Sequence, residues 1–196
     1  MEENINVTSE SLLNLCKTTI GYWDKCDEYF VKCLENKNGT IKILASDYKK
    51  ALEAKEEHLK SEESLAHVVN CNNLGIEAEK EGRIEDAIQY YETGIISPYP
   101  AIHAYERLVV LYSKLKQYDD IIRIVDLALP VIIRENNRRL ELSIKLSPDY
   151  KDEIIKAHEN CEVFKREDGV YLYNPYDISK FIKRKEKAIA KLTQSK

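Results

Sequence analysis

Glycine and proline are scarce in this chain, six and five of 196 residues, and there is one methionine and one tryptophan. Both scarce residues interrupt helices, so their shortage is what a helical protein shows. Nowhere do about 18 apolar residues run together, which sets aside a membrane-spanning helix. The opening "MEENINVTSE" lacks a basic stretch followed by an apolar one and is not read as a secretory signal. Cysteines number five, an odd count, with no CxxC pair (Cys16, Cys26, Cys33, Cys71, Cys161), as expected for reduced thiols in a cytoplasmic protein. Chemistry-bearing motifs are equally sparse. His58, His67, His103 and His158 form no HExxH or other metal-ligand spacing, and neither a phosphate-cradling glycine loop nor a GxSxG elbow occurs. The expectation is therefore no catalysis, no cofactor and no metal, with a Cys–His pair assembled through space left open.

What is abundant is charge and helix-forming residues. A third of the chain is Asp, Glu, Lys or Arg, and Ala, Leu, Ile, Glu and Lys recur throughout. Thirty Lys and Arg stand against 34 Asp and Glu, a formal net charge of -4, which disfavours nucleic acid or an anionic membrane as a general partner. The last twenty residues differ. Positions 177 to 196 hold seven Lys or Arg against Asp177 and Glu186. A basic helix on an acidic body keeps a nucleic-acid accessory role as an alternative, although basic residues alternating with an apolar stripe describe any solvated helix face.

A period of 34 residues organises the middle of the chain. Leu74 aligns with Leu108, Ala78 with Tyr112, Ala87 with Ile121, Ile88 with Ile122, Tyr91 with Val125 and Gly94 with Ala128. Glu85-Asp86 aligns with Asp119-Asp120 as well. Fixed periods of this size mark stacked supersecondary units that bury their faces on one another. Within the first copy, Gly75 and Ala78 supply small groups where a second helix crosses, and Gly82 can take the positive φ that ends a helix. "RIEDAI" then starts the next helix with acids at its positive end, and Ala87, Tyr91 and Gly94 form its inward stripe. "SPYP" at 97 to 100 separates the copies.

These residues resemble the tetratricopeptide repeats, whose pattern is W-x2-L-G-x2-Y followed by small, aromatic, small and proline positions. Cys71, Leu74, Gly75, Ala78, Ala87, Tyr91 and Gly94 occupy the marker positions of one copy; Tyr105, Leu108, Tyr112, Tyr118 and Ala128 those of the next, with departures at Val109 and Ile121. The resemblance runs from Val68 to about Glu135. It implies an all-α fold, a short right-handed α-solenoid of antiparallel helix pairs, and a concave groove lined by the first helix of each pair. Aligned groove positions are then Val69 and His103, Asn72 and Glu106, Asn73 and Arg107, Ile76 and Val110, Lys80 and Lys114. The implied function is non-catalytic, binding a peptide or helix of another protein through Asn72, Asn73, Lys80, His103, Arg107 and Lys114. Arg107 would grip a carboxylate and the two asparagines a peptide backbone. A full carboxylate clamp is not expected, because Asn72 stands where such clamps use Lys and Ile76 where they use Asn. Self-association through the open ends of so short a stack is the structural alternative.

Three segments follow: 1–60 as an N-terminal helical hairpin, 61–135 as the repeats, and 136–196 as a helical cap or degenerate third repeat. The first contains a helical run bent near Gly21 that gathers Tyr22, Trp23, Tyr29 and Phe30, as core or as a docking patch. In the last, "NNRR" at 136 to 139 reads as helix surface or loop. "SPDYK" there starts a helix with Ser147 as N-cap, "REDGVYLYNPYD" allows a short strand pair, and "DISKFIKRKEKAIAKL" is amphipathic.

Overall fold

The computed structural model describes residues 3–194. These residues are mostly helical, with eight α-helices and two two-stranded antiparallel sheets. They divide into two compact units, one ending at Ala66 and the other beginning at His67.

The first unit departs from a plain helical hairpin. Strand β1 (Asn4–Thr8) pairs with β2 (Thr40–Leu44), Asn6 facing Lys42, around helices α1 (Ser9–Thr18) and α2 (Cys26–Glu35). Both strands alternate polar and apolar residues, "NINVT" and "TIKIL", so one side of the ribbon turns Ile41 and Ile43 into the core. Thr8 ends the first strand and caps α1, its hydroxyl accepting from the Ser11 N–H at 3.3 Å. The break between α1 and α2 falls where Gly21 adopts φ +82. Trp23 is core and not a docking patch: it is buried and stacks on Tyr29 at 5.3 Å between ring centroids. Leu12, Leu15 and the thiols of Cys16, Cys26 and Cys33 fill the rest of this core with Ala51 and Ala54 of α3 (Ala45–Lys80). Burial beside the other two thiols pushes the Cys16 thiol up to about 12, which keeps it protonated and inert at neutral pH.

The second unit takes the last part of α3 and continues through α4 (Ile84–Ile95), α5 (Ile102–Leu115) and α6 (Tyr118–Leu146). A Cβ on Gly75 would meet Tyr91, and one on Gly94 would meet Cys71, so α3 and α4 run antiparallel with their small residues at the crossing. The 34-residue period reappears in the backbone. Gly82 and Lys116 both take positive φ, +75 and 58. At the two turns the Arg83 N–H donates to the Ala78 carbonyl at 2.8 Å and the Gln117 N–H to the Tyr112 carbonyl at 3.0 Å, the same closure 34 residues apart. Burial repeats too: Val68 and Ile102, Cys71 and Tyr105, Ala78 and Tyr112, Ala87 and Ile121, Tyr91 and Val125 are all core. Leu108, Leu111, Ile124 and Ile132 are fully buried here, each worth roughly 1.5–3 kcal/mol of transfer free energy.

Helix α6, 29 residues long in all, runs on past the repeats to Leu146. Its C-terminal part packs with α7 (Lys151–Glu159) and a small hairpin of β3 (Phe164–Lys165) and β4 (Tyr171–Tyr173); β4 lies within the segment 166–177 read as allowing a strand pair, and β3 immediately precedes it. Ile154, Ala157 and Tyr173 form that local core. Ser147 makes no side-chain cap: a 3-10 turn at Pro148–Tyr150 precedes α7. The final helix, α8 (Ile178–Gln194), lays Phe181 and Ala188 against the repeat core.

Candidate partner-binding groove

Helix α5 brings four of the aligned groove residues together. His103, Glu106, Arg107 and Val110, at helical spacing, line a pocket of about 430 Å³, and α8 supplies its remaining wall with Lys180, Phe181 and Arg184. Phe181 and Val110 give the pocket an apolar floor, Phe181 being buried and Val110 half-buried. Of the six expected groove residues, His103 and Arg107 line this pocket; Asn72, Asn73, Lys80 and Lys114 do not. Asn73, Lys80 and Lys114 are exposed, whereas the Asn72 Oδ1 is shielded from solvent and has no hydrogen-bond donor among the described residues.

Arg107 has an internal partner. Its Nε donates to Glu79 Oε1 at 2.8 Å and its Nη2 to Glu79 Oε2, closing the guanidinium fork on one carboxylate. The Tyr91 hydroxyl donates to Glu79 Oε1 at 2.9 Å, and His103 sits edge-on to the Tyr91 ring at 5.9 Å. The Arg107 guanidinium, with help from the Tyr91 hydroxyl, holds the Glu79 carboxyl below the usual carboxylate range. Burial and the neighbouring carboxylate push the Tyr91 hydroxyl well up. Arg107 therefore arrives at the groove already neutralised, and a ligand carboxylate would have to compete with Glu79. A second triad of the same kind stands further along: Tyr112 donates to Glu92 at 2.7 Å and Arg123 closes on Glu92 at 2.6 Å.

Residues that the sequence placed on plain surface or in a solvated tail shape the site instead. Asn136, within "NNRR", is buried and exchanges two hydrogen bonds with Tyr176, accepting from its N–H at 2.8 Å and donating to its carbonyl at 3.1 Å. Arg139 lies 4.0 Å over the Tyr176 ring and donates to the Asn174 carbonyl at 2.8 Å. Two α6 side chains thus hold the segment that leads into α8, and α8 in turn builds one wall of the pocket. Lys185 adds an ion pair to Asp126 of α6. Asn136→Ala removes both hydrogen bonds and leaves the Tyr176 peptide short of partners. A loss of about 2 kcal/mol is expected in urea unfolding, with new protease cleavage at 174–177.

No metal-ligating cluster of His, Cys, Asp or Glu occurs among the described residues, and no helix there is long and apolar enough to cross a membrane. No family model, curated protein or solved structure gave a significant match to the chain.

Proposed function

We propose that the second unit is a short right-handed α-solenoid of tetratricopeptide type, and that the protein is a non-catalytic interaction module. Its groove binds a peptide or helix of another protein. The observation that carries the reading is the pocket on the outward face of α5, where His103, Glu106 and Val110 meet Lys180, Phe181 and Arg184. A concave site of this size, with an apolar floor and polar groups at its rim, has the makings of a side-chain anchor. Support for the repeat architecture comes from the matched helix turns at Gly82 and Lys116 and the burial pattern they separate. In this reading the last part of α3, α5 and α8 are successive groove-lining helices, and α8 takes the place of a third unit's first helix. Because Arg107 is engaged by Glu79, its role is to hold the groove wall, and contact with a partner falls to its neighbours.

The test is partner capture from native lysate by the wild-type chain and by His103→Ala/Val110→Asp, at matched helicity. A protein retained by the wild type and lost from the variant is the expected result. Identical captures would remove the groove reading. The rival use of α8 as a nucleic-acid helix has less in its favour, since Lys185 pairs with Asp126 and Phe181 and Ala188 are buried.

A further inference from the structure

The pocket's walls are electrostatically unequal. On the α5 side, Arg107 is closed on Glu79, and Glu106 is the remaining charged group at the rim. On the α8 side, Lys180 is exposed and reaches Asp177 only at 3.7 Å, and Arg184 has neither an ion pair nor a hydrogen bond among the described residues. The helix they belong to carries Lys180, Lys183, Arg184, Lys185, Lys187 and Lys191 against the single Glu186. Lys185 pairs with Asp126 and Lys180 with Asp177, and Lys183, Arg184 and Lys187 add positive charge along α8. Immediately beside Arg184 lies the apolar floor of Phe181 and Val110. A half-buried guanidinium with no internal partner, next to an apolar hole, is matched by a carboxylate whose neighbour in the ligand is apolar.

We infer that the groove takes an acidic peptide in which an Asp or Glu stands beside an aliphatic or aromatic residue. The carboxylate docks on Arg184 with Lys180 at its edge, and the apolar side chain enters the pocket over Phe181 and Val110. Nucleic acid fits these walls less well. The two floor residues, Phe181 and Val110, are too few to stack successive bases, and Glu106 at the rim opposes a continuous run of phosphates. This inference rests on the groove reading above and adds the chemistry of the ligand to it.

The experiment is selection from a displayed library of random 12-residue peptides on the full-length chain. The enriched peptides are then synthesised and titrated by fluorescence anisotropy. Peptides pairing an acid with an adjacent Leu, Ile or Phe are expected to dominate. Their affinity should fall about tenfold or more on Arg184→Glu, by less on Lys180→Glu, and should weaken between 0.1 and 0.5 M salt as screening predicts, on the order of severalfold. Enriched peptides without acids, or acidic ones that bind Arg184→Glu equally, overturn the inference. So does displacement of the peptides by a single-stranded RNA oligonucleotide at equal concentration. The two readings fail separately. Non-acidic peptides that bind the wild type and lose binding to Val110→Asp would sink the acidic preference while the groove stands, and identical lysate captures by the wild type and the groove variant would remove the groove itself. Circular dichroism on each variant guards the comparison against unfolding.

Discussion

Gly75→Ala is expected to destabilise the protein by about 1 kcal/mol and Gly75→Leu by about 3, although either residue is a better helix former than glycine by close to 1 kcal/mol. An added Cβ at this position would lie 2.6 Å from both Cε1 and Cζ of Tyr91 and 3.0 Å from its Cδ1. Flexible side chains can move away from such a contact. Tyr91 cannot do so cheaply, because its ring is fully buried and its hydroxyl is tied to Glu79 at 2.9 Å. The overpacking must be relieved by separating α3 from α4 or by breaking the Tyr91–Glu79 hydrogen bond, and each route costs more than the gain in propensity. Urea unfolding followed by circular dichroism reads the sign directly. Combining Gly75→Ala with Tyr91→Leu should remove part of the penalty, because the two positions share one contact. A Gly75→Ala variant more stable than the wild type would mean that the ring swings aside without resistance.

Much of the second unit was legible because its signals are local. The small residues Gly75, Ala78, Ala87 and Gly94 and the turn at Gly82 lie within one helical hairpin, and a period of 34 compares like with like. The second copy was harder to read at its turn, where Lys116 takes the left-handed conformation that usually calls for glycine; closure by Gln117 onto the Tyr112 carbonyl outweighs a strain of about 1 kcal/mol. What stayed hidden depends on pairing at a distance. "NINVT" and "TIKIL" each show five residues of clean alternation, yet neither is a strand without the other, and more than thirty residues separate them. Helix α8 was legible as amphipathic, but α7 and the β3–β4 hairpin interrupt the period, so nothing in the spacing placed Phe181 and Arg184 beside α5. Asn136 and Arg139 look like ordinary polar surface until Tyr176 is brought against them. Arg107 shows the opposite error: the helical pattern places it on α5, but the charge expected to meet a ligand belongs to Glu79, a residue 28 positions earlier.

Arg107→Glu is accordingly expected to act on stability before it acts on binding, lowering the unfolding free energy at neutral pH by about 2–4 kcal/mol. The upper part of that range applies to pairs out of solvent. Glu79 is 14% exposed and Arg107 33%, so partial screening argues for less than the full buried-pair value. The pH dependence identifies the cause. In the wild type the Glu79 carboxyl is held below its ordinary value, so its contribution is present above the unfolded-state carboxylate pKa and is lost as pH falls through the depressed one. In the variant the cation is gone and a second carboxylate faces Glu79, which raises the folded-state pKa and places the penalty at neutral pH. Protonation relieves the repulsion, so the gap between variant and wild type should narrow as pH falls toward about 4. Exchanging the pair, Glu79→Arg with Arg107→Glu, should recover part of the loss, short of the whole because Tyr91 then loses its acceptor. Urea midpoints at pH 7 and pH 4 for the two variants and the wild type decide the matter; a gap independent of pH would place the damage in packing and not in the ion pair. The same result bears on function. Partner loss on Arg107→Glu would report a disturbed α3–α5 wall, whereas loss on Arg184→Glu, whose guanidinium has no carboxylate partner among the described residues, reports the ligand.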